Sequence, residues 1–366
     1  MSTAVTKPSA SIQVFDFLVF IGRFQPFHLG HLKVIEQGLK QAKQLIVLCG
    51  SAHQPRSTRN PWTVEEREQM IRGALTEEQN RRLHFAPLMD IVYNDETWVR
   101  NVQATVNGIV TAHHPTPHKQ ANIGLIGHSK DESSYYLKLF PQWRSVQVEN
   151  YKNLCATPLR EAMFVENQTD AGACEKFLTE KGKEAFPSNV QTWLQQFCNS
   201  DEYGFVRDEH NFVAKYRKAW EQAPYEPTFV TVDAVVVQSG HILLVERNAR
   251  PGKGLLALPG GFIGAHERLA DACLRELREE TRLKVPAPVL KGSIKGQEVF
   301  DDPYRSARGR TITHAFYIEL EPNKELPKVK GGDDAKHAMW VPLAELDPKQ
   351  LFEDHYFIIQ EMIGSF

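Results

Sequence analysis

Two near-continuous apolar runs, FDFLVFIG from Phe15 and QLIVLCG from Gln44, bracket a segment in which Leu32, Ile35, Leu39 and Ala42 recur at helical spacing. A strand without polar alternation is buried on both faces, and a parallel sheet covered by helices on both sides provides that burial. A βαβ unit is therefore expected at the start of the chain. The alternation continues with a helical stretch at VEEREQMIRGAL, a strand at LHFAPL, a helix over ETWVRNVQATVNGIV and strands at NIGLIGH and SVQVEN. This order predicts a doubly wound α/β domain of Rossmann type.

At 366 residues the chain exceeds one ordinary domain, and an apolar content of 42% is enough for two cores. From Glu166 to Ala223 the pattern turns helical and polar, and the prolines of APYEPT then precede a new strand. The expected division is a first domain over residues 15–185, a helical linker over 186–223 and a second domain over 224–366. The second opens with TFVTVDAVVV, turns at QSGH and returns as ILLVER, a β-hairpin signature. One strong helix, ERLADACLRELREET, and strands at ITHAFYIEL and HAMWVPL complete a mixed α+β domain.

A formal net charge of −2 gives no broad basic field, so nucleic acid is not an expected partner and phosphate recognition must be local. The five cysteines, Cys49, Cys155, Cys174, Cys198 and Cys273, are scattered and form no CxxC pair, which indicates neither a disulfide framework nor a zinc cage. No run approaches the roughly 18 apolar residues of a membrane span, and MSTAVTKPSAS lacks the apolar core of a signal peptide. A cytoplasmic protein without membrane association is expected, and a homo-oligomer is compatible with these features.

The first strand-to-helix junction reads GRFQPFHLGH and places His28 and His31 at the start of a helix. Unsatisfied backbone N–H groups and the helix dipole favour phosphate there, and two imidazoles add donors for charge that develops on a phosphate under attack. Ligands of α/β folds bind at the carboxyl ends of strands, which is where this segment falls. Further along, ATPLREAMF offers Thr157 at an expected helix start and Arg160 one turn later, a second phosphate cradle.

Over about residues 15–164 the chain resembles the HxGH nucleotidyltransferases, and among them the nicotinamide mononucleotide (NMN) adenylyltransferases. The resemblance implies ATP bound by Gly22, Arg23, Phe24, His28, His31, Gly127, Thr157 and Arg160, with His28 and His31 catalytic. It implies an NMN site at YNDETW, where Asn94 would bond the carboxamide and Trp98 would stack on the ring. Cys155 and Ala156 stand where the family often has serines, which leaves the Thr157 and Arg160 roles intact. SAHQPRSTRNPWTVEER and GHSKDESSYYLKLFPQW also resemble family segments. They make Arg56 and Arg59 candidate phosphate or substrate contacts and bring His128 and Asp131 to the junction after a strand.

In the second domain GGFIGAHERLADACLRELREETRL spaces Gly261, Glu267, Arg275, Glu276, Glu279 and Glu280 at fixed intervals. Glu276, Glu279 and Glu280 stand at i, i+3 and i+4 and share one helix face. A hard divalent cation removes their mutual repulsion and polarises a pyrophosphate. The spacing matches the Nudix pattern, with Arg282 in place of its final glycine. The Nudix resemblance implies Mg2+, or Mn2+ in its place, held by Gly261, Glu276, Glu279 and Glu280, the three glutamates being catalytic. The segment VFDDPYRSARGRTITHAF resembles the ADP-ribose pyrophosphatase branch and implies substrate contacts from Arg305, Arg308 and Arg310. For the general base, Glu298, Asp301, Asp333 and Asp334 stay open.

Taken together, the order of motifs resembles bacterial bifunctional enzymes that make NAD from ATP and NMN and hydrolyse ADP-ribose to AMP and ribose 5-phosphate. The small-molecule partners implied are ATP, NMN and ADP-ribose. Two other readings compete. One makes the second domain a non-catalytic ADP-ribose sensor, which the intact carboxylate set opposes. The other keeps nucleotidyl transfer but changes the acceptor, which YNDETW opposes.

Overall fold

The computed structural model describes residues 14–114, 120–127, 138–164, 172–332 and 335–366. His128, Asp131, Asp333 and Asp334 lie outside the described residues. The N-terminal unit runs β1 (Phe15–Gly22), α1 (Leu29–Gln41), β2 (Ala42–Cys49), α2 (Val64–Gly73), α3 (Glu77–Arg81), β3 (Leu83–Pro87), α4 (Asp95–His113), β4 (Ile123–Gly127), β5 (Arg144–Gln147) and α5 (Ala156–Glu161). Helices α6 (Gly172–Ala185), α7 (Ser188–Cys198) and α8 (Asp201–Lys218) follow.

The first sheet has the order β3-β2-β1-β4-β5, and each described pairing in it is parallel. The strand order reverses between β1 and β4, so the carboxyl ends of these strands flank the crevice where such sheets take ligands. Residues of β1 alternate between two cores. Leu18 and Phe20 meet Val34 and Ile35 of α1, while Phe17 and Val19 meet Val102 and Val106 of α4. This double burial is why the strand reads as a continuous apolar run.

The segment between residues 186 and 223 is mostly helical, and its apolar side completes the first core through Val190, Leu194, Tyr203 and Val206. Cys174 and Cys198 are disulfide-bonded between α6 and α7. This corrects the expectation drawn from scattered cysteines, because a helical hairpin brings together residues that lie 24 apart in sequence.

The C-terminal unit comprises β6 (Phe229–Gln238), β7 (His241–Arg247), β8 (Leu256–Ala257), β9 (Gly260–Phe262), α9 (Leu269–Thr281), α10 (Ala287–Gly292), β10 (Ile294–Phe300), β11 (Thr311–Glu319), β12 (Ala335–Pro342) and α11 (His355–Ser365). The expected hairpin is present. Ser239 and Gly240 both take positive φ, +47° and +73°, the geometry of a two-residue turn that matches strand twist. Beyond it β6 and β7 part, and β9 pairs with β6 while β8 pairs with β7. The mixed sheet, ordered β10-β11-β6-β7-β12, is covered by α9 on one face and α11 on the other, an α/β/α sandwich.

Among the described residues no helix is long and apolar enough to cross a membrane. Helix α9 ends on Arg282 at φ +47°, ψ +33°, the left-handed region in which a side chain costs roughly 1 kcal/mol. Arg282→Gly is expected to stabilise this unit by up to about 1 kcal/mol and raise its calorimetric melting midpoint by about 2–4 °C. A lower midpoint would mean that the Arg282 side chain, which lies against Gly332, contributes more than the backbone strain removes.

Candidate active sites

The loop after β1 is organised by its own imidazoles. His28 caps α1 and accepts at Nδ1 from the Gly30 N–H at 3.1 Å, while the His28 N–H donates to Nδ1 of His31 at 3.3 Å. Each Nδ1 is an acceptor, so each neutral ring carries its proton on Nε2 as a donor. The rings stack with centroids 3.7 Å apart, and Phe24 and Phe27 pack against His31. Gly22 closes β1 and faces the Phe24 ring, where a Cβ would stand 2.8 Å from ring carbon.

Arginines gather around this loop. Arg160 of α5 donates to the Gln25 carbonyl at 2.9 Å, which brings Thr157 and the second cradle against the first. Burial, then the nearby Arg59, pulls the Arg23 guanidinium down to about 10, with Arg160 adding to the repulsion. Burial likewise lowers Arg160, and Arg59 contributes. A cluster of this sign is the electrostatic setting of an anion site. Gly127 ends β4, the strand beside β1.

Sequence reasoning missed the residue that supports this loop. Arg67 is 1% exposed and donates to the carbonyls of Arg23 and Gly50 at 2.7 Å each, to Thr63 at 3.1 Å and to Ser51 at 3.2 Å. Nothing in its helical surroundings distinguishes it from a surface arginine. Arg56 is drawn away from the expected role, because Glu66 holds it in a two-point ion pair at 2.7 and 2.8 Å. Arg59 is exposed at the loop side of the unit. Asn94 caps α4 by accepting from the Thr97 N–H at 2.9 Å, and Trp98, half-buried, packs on Phe140.

In the C-terminal unit the forked hairpin carries the glycines to α9. A Cβ on Gly260 would stand 2.1 Å from the Val232 carbonyl oxygen, so this close passage needs glycine. The Gly260 N–H donates to Glu280 at 3.0 Å, and Glu276 lies against Gly261. Burial, chiefly, pushes Glu280 up to about 8 and raises Glu276. Arg275 donates to Glu267 at 2.6 Å, to Glu276 at 2.8 Å and to Glu279 at 2.9 Å. Its hydrogen bonds hold Glu267 down at about 2.

The expected three-carboxylate cage is thus not gathered on one point, and among the described residues no group of three or more metal-ligating side chains is. Glu279 turns to the Arg275 guanidinium while Glu280 accepts from the Gly260 N–H, each meeting a hydrogen-bond donor. The donor set still fits a hard cation, because Glu276 and Glu280 are half-buried carboxylates raised chiefly by desolvation, which a bound cation would offset.

Arg305 is corrected. Its guanidinium is 3% exposed and paired with Asp354 at 2.9 and 3.0 Å, so it supports the loop and does not face a substrate. Arg308 does reach the glycine segment, 5.3 Å over the Phe262 ring, while Arg310 bonds the Asp301 carbonyl. Of the open bases, Glu298 lies half-buried on β10 and Asp301 is exposed. A carboxylate that the sequence did not signal, Glu353, accepts from the Ala307 N–H at 3.1 Å. Burial raises it while Arg308 and Arg305 act in the opposite sense.

Residues 19–114 match the cytidylyltransferase-like family and residues 227–362 match the NUDIX domain. The chain is 43% identical over 197 residues to a nicotinamide/nicotinic acid mononucleotide adenylyltransferase of Acinetobacter baylyi, covering 54% of this chain and 94% of that protein. It is 37% identical over 149 residues to an ADP-ribose pyrophosphatase of Methanocaldococcus jannaschii, covering 41% and 81%. It is also similar to the crystal structure of a bifunctional NMN adenylyltransferase/ADP ribose pyrophosphatase from Francisella tularensis, complexed with AMP and a Mn ion. That match has a TM-score of 0.84 at 35% identity and covers 96% of this chain and 99% of the other.

The contact between Gly261 and Glu276 can be tested directly. A Cβ at position 261 would stand 2.7 Å from the Glu276 carboxyl, so Gly261→Ala forces that carboxylate aside. We expect Mn2+ affinity, titrated by electron paramagnetic resonance, to fall about 10- to 100-fold with circular dichroism unchanged. Unaltered affinity would remove Gly261 and Glu276 from the cation site.

Proposed function

Because the chain belongs to the family of bifunctional NMN adenylyltransferase/ADP-ribose pyrophosphatases, we infer that its two units perform these two reactions. The N-terminal unit joins the adenylyl group of ATP to NMN and releases pyrophosphate. An NMN phosphate oxygen attacks the α-phosphorus, and the bond to the β,γ-pyrophosphate breaks. Arg23, Thr157 and Arg160 hold the triphosphate against Gly22, Phe24 and Gly127. The Nε2–H groups of His28 and His31 donate to oxygens on which negative charge grows, so the loop needs no nucleophilic side chain. Asn94 and Trp98 recognise the nicotinamide end, Asn94 through the amide group that its capping bond leaves available.

The C-terminal unit hydrolyses ADP-ribose to AMP and ribose 5-phosphate. The reaction depends on a divalent cation, and we take Mg2+ as the working ion. Glu276, Glu279, Glu280 and the Gly261 backbone would hold it, and it supplies charge neutralisation and polarisation of the pyrophosphate. Arg308 and Arg310 contact the substrate. The observation that carries this reading is the pair of half-buried carboxylates on α9 facing the glycine segment.

Two variants separate the activities. His31→Ala should lower adenylyl transfer roughly 10²- to 10³-fold, the cost of losing one charge-stabilising donor, with ADP-ribose hydrolysis unchanged. Glu280→Gln should abolish hydrolysis and leave transfer intact. Pyrophosphate release from ATP with NMN, nicotinic acid mononucleotide and other acceptors, and AMP release from ADP-ribose, NADH and diadenosine polyphosphates, decide the substrates. An acceptor or dinucleotide preferred over NMN or ADP-ribose would overturn that half of the assignment.

A further inference from the structure

The two units share more than a linker. Tyr93 lies in the connection between β3 and α4 of the N-terminal unit, yet its ring packs edge-to-face on Phe300 of β10 at 4.9 Å and joins the apolar cluster under α11. Its hydroxyl donates to Asp354, the residue whose carboxylate also receives the Arg305 guanidinium. Arg305 and Asp354 are 3% and 5% exposed and Tyr93 is half-buried, so the three polar groups form a largely shielded chain from one unit to the other.

That chain ends on the connection between β10 and β11, residues 301–310, which carries Arg308 to the Phe262 ring beside Gly261. Other groups from the N-terminal part of the chain grip the same loop at its rim. Arg59 donates to the Tyr304 carbonyl at 3.3 Å, and Arg217 of α8 donates to the Ala307 carbonyl at 2.9 Å. Those contacts are exposed and therefore weakly restraining, whereas the Tyr93 bond is partly buried.

We propose that Tyr93, a residue of the N-terminal unit, is a positioning residue for the hydrolase site: through Asp354 and Arg305 it fixes the arginine loop that lies over the glycine segment. Deleting the hydroxyl leaves the Asp354 carboxylate one donor short in a buried setting, and the loop loses its anchor from below. Substrate binding then has to order the loop first, which raises KM and leaves the reacting groups on α9 untouched. The hydrolysis arm of this inference rests on the proposed ADP-ribose activity, and the loop-order arm does not.

The test uses the full chain carrying Tyr93→Phe, which removes only the hydroxyl. Amide hydrogen exchange is followed across residues 301–310 and across α9, and kcat and KM are measured for ADP-ribose with Mn2+ and for adenylyl transfer. Expected are faster exchange in 301–310 with α9 unaffected, and a KM for ADP-ribose raised about 3- to 10-fold. The hydrolytic kcat should stay within about twofold and adenylyl transfer should not change. Asp354→Asn, which cuts the same chain from the other side, should reproduce the loosened loop. Unchanged exchange in Tyr93→Phe overturns the proposal whatever Asp354→Asn does, because the second variant also breaks the Arg305 ion pair. So does a fall in kcat at constant KM, because the hydroxyl would then serve the chemical step or general stability. A wild-type chain that leaves ADP-ribose intact refutes the substrate reading alone, and exchange still decides whether Tyr93 orders the loop.

Discussion

Repulsion between like charges held close together is the constraint that both halves of this protein are built around. A site for polyphosphate must collect charge of one sign before the ligand arrives, and each unit does so differently. The N-terminal unit gathers Arg23, Arg59 and Arg160 within electrostatic reach of one another and ties the buried Arg160 guanidinium to the Gln25 carbonyl. Arg67 shows the device at its extreme, with four carbonyls around one cation. Carbonyl dipoles hold the arginines in place without cancelling their charge, so the site keeps its attraction for an anion. The C-terminal unit gathers carboxylates instead and uses Arg275, within 3 Å of three of them, as their common counter-charge.

Positioning those groups depends on backbone passages that admit no side chain. The β6–β7 hairpin opens just past its turn, and the segment carrying β8 and β9 enters the gap. This brings the Gly260 N–H to Glu280 and the Gly261 backbone to Glu276, a contact set by main-chain atoms on one side. The contact is rigid because the glycine segment is hydrogen-bonded into the sheet on β6, while α9 is packed through Ala272, Cys273 and Leu277 onto the same strands. Sheet and helix therefore fix the two sides of the site independently of any loop.

Much of this was legible in the residues. Continuous apolar strands predicted the parallel sheet, QSGH predicted the hairpin, and the spacing of Glu276, Glu279 and Glu280 placed them on one helix face. What could not be read were contacts between residues distant in sequence. Tyr93 and Asp354 are 261 residues apart, and Arg305 and Asp354 are 49 apart, so nothing local marks Arg305 as a buried ion pair among three arginines that look alike. The pairing of Cys174 with Cys198, 24 residues apart, is illegible for the same reason. Strands of two and three residues such as β8 and β9 carry no periodicity, which is why the fork in the hairpin was invisible although the glycines that require it were not.

The position of Tyr93 has a consequence for how the two reactions relate. It precedes Asn94, which caps α4 and which we propose for the nicotinamide end of the first site, so one short connection carries a group toward each unit. A half-buried tyrosine anchored to Asp354 limits how far that connection can shift. The restraint on the arginine loop of one unit is thus supplied by the other, which gives a physical reason for keeping both units on a single chain.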